Sequence, residues 1–272
     1  MEVEGVDGTA LTYDVAGDGV PLVLIHGSWG ERQTWGFVVP ALAESFRVIS
    51  YDRRGHGEST ARPDAGTVHD DVADVVRLID AVGDGRANVV ANSYGACIAL
   101  RLADAHPERV ARMVCHEPPM LGALDTDDDG KAIADEERRK LGEVRQILER
   151  GEYADAAEYF VERVALGPGM WSELPPSLQQ MFIDHAPTFL GELRDPDALG
   201  ADLGSLRRIG TPVLLTHGDQ SPAFFAPIVD RLERLLPNAR RRLLSGTGHV
   251  PHMTHPDEYV PVIQDFLLEQ HG

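Results

Sequence analysis

The sequence predicts an α/β fold: a mostly parallel central sheet flanked by helices, with a helical insertion in its second half. Three observations carry this expectation. Short, nearly continuous apolar runs recur at residues 22–25, 47–51, 88–91, 110–115 and 213–216, as expected of strands buried on both faces. Segments of helical periodicity separate or follow them at 31–43, 69–82, 94–106, 222–236 and 257–269, which suits crossover connections between parallel strands. From about residue 120 to residue 205 no strand pattern occurs, and helical patterns at 131–150, 153–164 and 176–185 follow one another.

The elements divide into a core of residues 1–119 and 206–272 and an inserted helical cap of residues 120–205. Residues 2–16 alternate loosely around Gly5, Asp7 and Gly8, as an antiparallel hairpin leading into the sheet would. Because the cap leaves the sheet after one strand and returns before the next, it should lie over the carboxyl edge, where open α/β sheets place ligand crevices.

Composition narrows the function. The chain has 272 residues, 43% of them hydrophobic, enough for one large domain with a substantial core. With 25 Lys+Arg against 44 Asp+Glu, its net charge of −19 repels phosphate backbones and anionic lipid, and no Lys/Arg-rich run is read as an exception. Nucleic-acid and membrane-surface binding are therefore not expected. Cys97 and Cys115 lack the spacing of metal or redox pairs and read as buried free thiols. The amino terminus has neither a basic region nor a long apolar stretch, so a cytoplasmic location is expected.

The strongest chemical signal is Val89-Val90-Ala91-Asn92-Ser93-Tyr94-Gly95: an apolar strand, a serine with small residues two positions either side, then a helix. So sharp a turn admits only small neighbours, and it presents the serine hydroxyl at the sheet edge with helix N–H groups directed at it. Ala91 replaces the first glycine of the usual G-x-S-x-G pattern. Ser93 is the candidate nucleophile, an ordinary helix N-cap being the alternative. Late in the chain, Ser245-Gly246-Thr247-Gly248-His249 supplies a candidate base on a loop that glycines allow to bend inward. His252 and His255 follow at three-residue spacing, but Pro251 and Pro256 interrupt any helical zinc motif, so no metal is assigned.

Two further turns fit the same plan. Ile25-His26-Gly27-Ser28-Trp29 ends a strand, and Asp52-Arg53-Arg54-Gly55-His56-Gly57-Glu58-Ser59 ends another. The second reads as structural, with His56 a poor base because it precedes the nucleophile. For the acid that orients the base there are two candidates. Asp219 follows the 213–216 strand but is out of register with a G-x-x-D pattern, whose aspartate position is held by Ser221; Glu117 lies where the chain leaves the sheet for the cap and is favoured.

Together the serine turn, the His-Gly turn, the Asp52–Ser59 turn and the late histidine resemble the α/β-hydrolase superfamily, at both ends of the insertion. More narrowly, residues 113–119, Ser221-Pro222-Ala223-Phe224-Phe225 and the His249 to Asp257 stretch are similar to zearalenone-type lactone hydrolases. The resemblance implies a cofactor-free serine hydrolase of a small carboxylic ester or lactone. It implies Glu117 as the acid, because in those enzymes a glutamate follows the sixth strand, and the backbone N–H groups of Ser28 and Tyr94 as the oxyanion hole. Two alternatives stand beside it: a C–C bond hydrolase, which the Asn92-Ser93 pair resembles, and a catalytically silent receptor on the same scaffold. Substrate identity and oligomeric state are left open.

Trp29 is expected to contact substrate, and Trp35, Met170, Trp171, Met181, Phe182 and Phe189 are ambiguous between pocket and core. Asp125, Asp127, Asp129, Gly130 and Glu136 match the spacing of a calcium loop, yet Pro118 and Pro119 preclude its incoming helix, so a solvated helix start is favoured.

Overall fold

A computed structural model describes residues 1–60 and 66–269. Eight strands form one sheet: β1 (Glu2–Glu4), β2 (Ala10–Ala16), β3 (Val20–Ile25), β4 (Phe46–Tyr51), β5 (Ala87–Asn92), β6 (Val110–His116), β7 (Val213–Gly218) and β8 (Ala239–Leu244). Their spatial order is β1-β2-β4-β3-β5-β6-β7-β8. The first two strands pair antiparallel with each other and β2 with β4, while every other pairing is parallel. The expected hairpin and parallel sheet are both present.

Alternation along the strands explains the layers. On β3, Leu22 and Leu24 join the core packed by α1 (Val39–Leu42) and α11 (Pro256–Leu267). Val23 and Ile25 face the other way, onto α2 (Val68–Val82), α3 (Tyr94–Ala105) and α9 (Phe225–Leu235). All four side chains are fully buried, and burial of each such side chain contributes about 1.5–3 kcal/mol. Helix α2 starts on a capping box in which Thr67 and Asp70 serve each other's backbone N–H groups. The crossover expected over 31–43 is instead a short turn at Arg32–Trp35 and the single-turn α1, because Gly36 and Pro40 interrupt it.

Between β6 and β7 the chain is helical: α4 (Asp128–Glu149), α5 (Tyr153–Phe160), α6 (Met170–Glu173), α7 (Pro176–Arg194) and α8 (Leu203–Leu206). Helix α5 widens at Val161–Ala165 into a π-turn, where both Leu166 N and Gly167 N donate to Val161 O. The helix expected to span 176–185 continues through Pro187 to Arg194, because its last turns bury Thr188, Phe189 and Glu192 against the core. The short helix α10 (Pro251–Thr254) follows β8.

The acidic 125–136 segment starts a helix: Asp127 caps Gly130 N at 2.8 Å, Asp125 pairs with Arg138, and Glu136 pairs with Arg139. Edge strand β8 carries Arg240, Arg241 and Arg242 in succession, a basic run that the sequence reading passed over. Arg240 pairs with Glu269, and Arg241 pairs with Asp230 and Glu233. Charged side chains of this kind also discourage edge-to-edge pairing. Cys97 and Cys115 are buried and free, and burial pushes the Cys97 thiol up to about 12. No helix among the described residues is long and apolar enough to cross a membrane.

Candidate active site

Parallel register brings the functional candidates into line. Ile25 is level with Ala91, Asn92 with His116, and His116 with Thr216, so β3, β5, β6 and β7 end side by side. The residues just past those ends are Ser28, Ser93, Glu117 and Asp219.

Ser93 has φ 55° and ψ −124°, a conformation rare for a residue with a side chain. Its backbone N–H donates to His116 O at 2.8 Å, which fixes the turn to β6. Although Ser93 is the N-cap of α3, its hydroxyl makes no capping bond. The tightness of the turn explains its small neighbours. A Cβ on Gly95 would lie 2.3 Å from Ile25 O, and a Cβ on Gly27 would lie 2.9 Å from the Ser93 Cβ. Ala91 is fully buried in β5, so the missing glycine is accommodated within the sheet.

His249 and Glu117 meet. The His249 Nδ1 to Glu117 Oε2 distance is 2.6 Å, and Glu117 Oε1 accepts from Gly218 N at 2.8 Å. Glu117 is fully buried, with φ 48°, and Glu117 N donates to Thr216 O at 3.0 Å. Burial alone would raise its pKa, but adjacent His116 and the bond to His249 outweigh burial and hold it at about 2. The His249 ring stacks on Phe225 with centroids 4.6 Å apart, and its backbone oxygen accepts from Asn92 Nδ2 at 2.9 Å. Asn92 therefore ties the serine turn to the histidine loop.

Asp219 is elsewhere. Its Oδ1 accepts from Gly246 N at 2.7 Å, shaping the loop that carries His249 rather than touching the imidazole. His252 is buried and stacks on Trp35 at 4.2 Å, while His255 Nδ1 lies 2.9 Å from Thr254 Oγ1. His116, Glu117 and His249 hold ligand-type atoms within 4.8 Å of one another, the one such group among the described residues. Here Glu117 bonds to His249, His116 Nδ1 lies 2.9 Å from Thr216 Oγ1, and burial, the largest influence, lowers the pKa of His116 to about 4.

Ser28 lines the cavity beside Ser93, and its hydroxyl donates to Glu192 of α7. Sequence reasoning missed Glu192. It is buried and receives Arg53 Nη2 at 2.7 Å; Arg53 in turn binds Asp71 of α2 at 3.1 Å, donates to Gly27 O at 3.3 Å, and lies 4.5 Å over the Tyr94 ring. Burial raises the pKa of Glu192, opposed by Arg53 and Ser28. Its sequence signal was weak, because the buried residues of α7 include His185 and Thr188 as well as Ala186 and Phe189. The Asp52–Ser59 turn is structural, as expected: Asp52 accepts from Arg32 N at 2.7 Å and Glu58 N at 2.9 Å, while His56 packs 5.0 Å from both His26 and His185.

Two cavities meet at Ser93 and His249. The larger, about 410 Å³, is lined by Trp29, Met170, Met181 and Phe182 among others; the smaller, about 50 Å³, by Phe160, Phe189, Phe224 and Phe225 among others. Trp29, with φ 63°, is almost wholly buried against Phe160, Phe182 and Phe189, so it joins the β3 turn to the insertion as well as lining the chamber. Trp35 belongs to the core. Trp171 lines neither cavity and packs on Phe182. Two larger clefts do not reach Ser93 or His249.

This arrangement coincides with a family match. The chain belongs to the alpha/beta hydrolase fold family, whose profile it fits over residues 20–256. It is 30% identical to a non-heme chloroperoxidase of Streptomyces lividans over 96% of this chain and 97% of that protein. It is also 26% identical to a pimeloyl-[acyl-carrier protein] methyl ester esterase of Photobacterium profundum over 95% and 99%. Among solved structures, an alpha/beta hydrolase from Sphaerobacter thermophilus superposes with a TM-score of 0.76 at 26% identity, covering 98% of this chain and all of that one.

Proposed function

We propose that the protein is a serine hydrolase that cleaves a small carboxylic ester or lactone through an acyl-enzyme. The observation that carries this reading is the 2.6 Å contact of Glu117 with His249 in a cavity that both His249 and the strained Ser93 line. A methyl ester esterase among the relatives supports it, as does the likeness of residues 113–119 to lactone hydrolases with a glutamate after the sixth strand.

In this mechanism Glu117, ionised down to about pH 2, accepts the Nδ1–H of His249 and leaves Nε2 free to take the Ser93 proton. The serine oxygen attacks the carbonyl carbon. Negative charge forming on the carbonyl oxygen is held by the N–H groups of Ser28 and Tyr94, each donor of this type contributing about 3 kcal/mol. His249 returns the proton to the departing alkoxide, then activates water to release the acid and restore Ser93. The apolar walls around Phe160, Phe189 and Phe225 favour a hydrocarbon-rich substrate over a charged one.

The test is labelling with a fluorophosphonate, followed by p-nitrophenyl esters and lactones of graded size. Rapid modification of Ser93, abolished in Ser93→Ala, together with ester or lactone turnover supports the proposal. Cleavage of a vinylogous diketone but no ester would replace it with C–C hydrolysis, and an inert protein that binds ligands tightly would make it a receptor.

A further inference from the structure

Helix α4 contributes a glutamate to the wall of the smaller cavity. Glu137 lines it together with Ser28, Ser93 and His249, among side chains that are otherwise almost all apolar. Its side chain is 8% exposed. One oxygen, Oε1, receives Lys140 Nζ at 2.6 Å. The other, Oε2, is buried and has no hydrogen-bond partner among the described residues. A buried acceptor left unpaired costs about 1–3 kcal/mol, more for a charged group, so it marks a place where a donor is meant to arrive.

We propose that Glu137 is a substrate-recognition residue whose Oε2 accepts a hydrogen bond from a hydroxyl on the short arm of the substrate. Lys140 already balances the carboxylate's charge, so a cationic ligand would bring an unpaired charge into an apolar pocket, whereas a neutral hydroxyl satisfies the oxygen without one. The cavity, about 50 Å³, admits only a few heavy atoms, which limits this arm to a short hydroxylated chain or a small hydroxylated ring. The larger chamber on the other side of Ser93 takes the bulkier, apolar remainder. This inference rests on the ester or lactone reading and names the substrate class: a hydroxyl-bearing ester or lactone.

The experiment compares hydroxyl compounds with their methyl isosteres. One pair is p-nitrophenyl 3-hydroxybutanoate and 3-methylbutanoate; the other is 3-hydroxy-γ-butyrolactone and 3-methyl-γ-butyrolactone. In wild type, kcat/KM for at least one hydroxyl compound should exceed that of its isostere by about tenfold, the size of one hydrogen bond to a charged group. Glu137→Leu should abolish or invert the preference, while Glu137→Gln, which keeps a carbonyl acceptor and the side-chain shape, should retain part of it even if the leucine variant folds poorly. Preference for the methyl compound in both wild-type pairs, or a hydroxyl preference that survives in Glu137→Leu, overturns the proposal. Absence of any turnover together with an unlabelled Ser93 would defeat the hydrolase reading instead. Recognition is then read from thermal protection by 3-hydroxybutanamide against 3-methylbutanamide: stronger protection by the hydroxyl amide, lost on removing the carboxylate, supports the role of Glu137, and equal protection overturns it.

Discussion

Glu117 and Asp219 are two carboxylates at the ends of neighbouring strands, and their backbones decide what each one does. Glu117 turns at φ 48° and drives its carboxylate under the imidazole, whereas Asp219 accepts the N–H of Gly246. Glu117→Gln is therefore expected to lower kcat by about 10³–10⁴-fold, as when the acid that holds a catalytic histidine is neutralised. Asp219→Asn, which keeps an oxygen to accept from Gly246 N, should hold kcat within a few-fold and change thermal melting little. Steady-state kinetics on both variants checks the pair, and a larger loss in the second would reverse the assignment. Ser93 and His249 were legible because small residues and glycines announce a turn whatever surrounds it. The acid was legible only as a preference: Glu117 is favoured for its place where the chain leaves the sheet, but Asp219 also follows a strand, and the sequence does not show which carboxylate turns under the imidazole. Glu137 was hidden for another reason: an acidic residue in the acidic α4 gives no sign of facing inward.

At the scale of elements, the helical insertion is fastened to the sheet by charge as well as by apolar packing. Arg53 lies between Asp71 on α2 and Glu192 on α7, and Glu192 also holds the Ser28 hydroxyl. Removing one member of a buried pair leaves the other unsatisfied, at a cost of about 3–5 kcal/mol. Glu192→Leu should accordingly lower the unfolding free energy read from urea titration by an amount of this order. Because Ser28 would lose its anchor, kcat should fall as well, while Glu192→Gln, which still accepts from Ser28, should lose less of it. Equal kcat in the two variants would show that Glu192 serves stability alone. The order of strands and helices could be read from periodicity, but their ends could not. Gly36 and Pro40 break the first crossover, whereas Pro187 fails to end α7 because the turns beyond it bury Phe189 and Glu192.

For the whole molecule, buried imidazoles set the response to acid. His26, His56, His116 and His252 are buried, and desolvation is the largest influence lowering each pKa, to about 4 for His116 and about 3 for His252. In the unfolded chain they protonate near pH 6.5. The native state therefore binds fewer protons below that pH. Stability is fully present above about pH 6.5 and declines as pH falls toward the folded values, by about 1.4 kcal/mol per pH unit for each imidazole once the unfolded chain is protonated. Glu192 and Asp74, raised by burial, act in the opposite sense but are fewer. The melting temperature should drop by at least about 5 °C between pH 7 and pH 5 in a calorimetric series, and a flat profile would contradict the burial of these rings. Composition foretold an acidic protein with a large core, but not that neutral histidines line the junction of its layers, because each one stands alone in the sequence.

Glu117 and His249 are separated by 132 residues, and the second belongs to the last turn before α10 and α11. During synthesis the serine turn therefore leaves the ribosome well ahead of the imidazole loop. On the proposed mechanism, a nascent polypeptide carries no proton acceptor for its nucleophile until β8 has been delivered, and a fragment released before that strand would be unable to attack an ester.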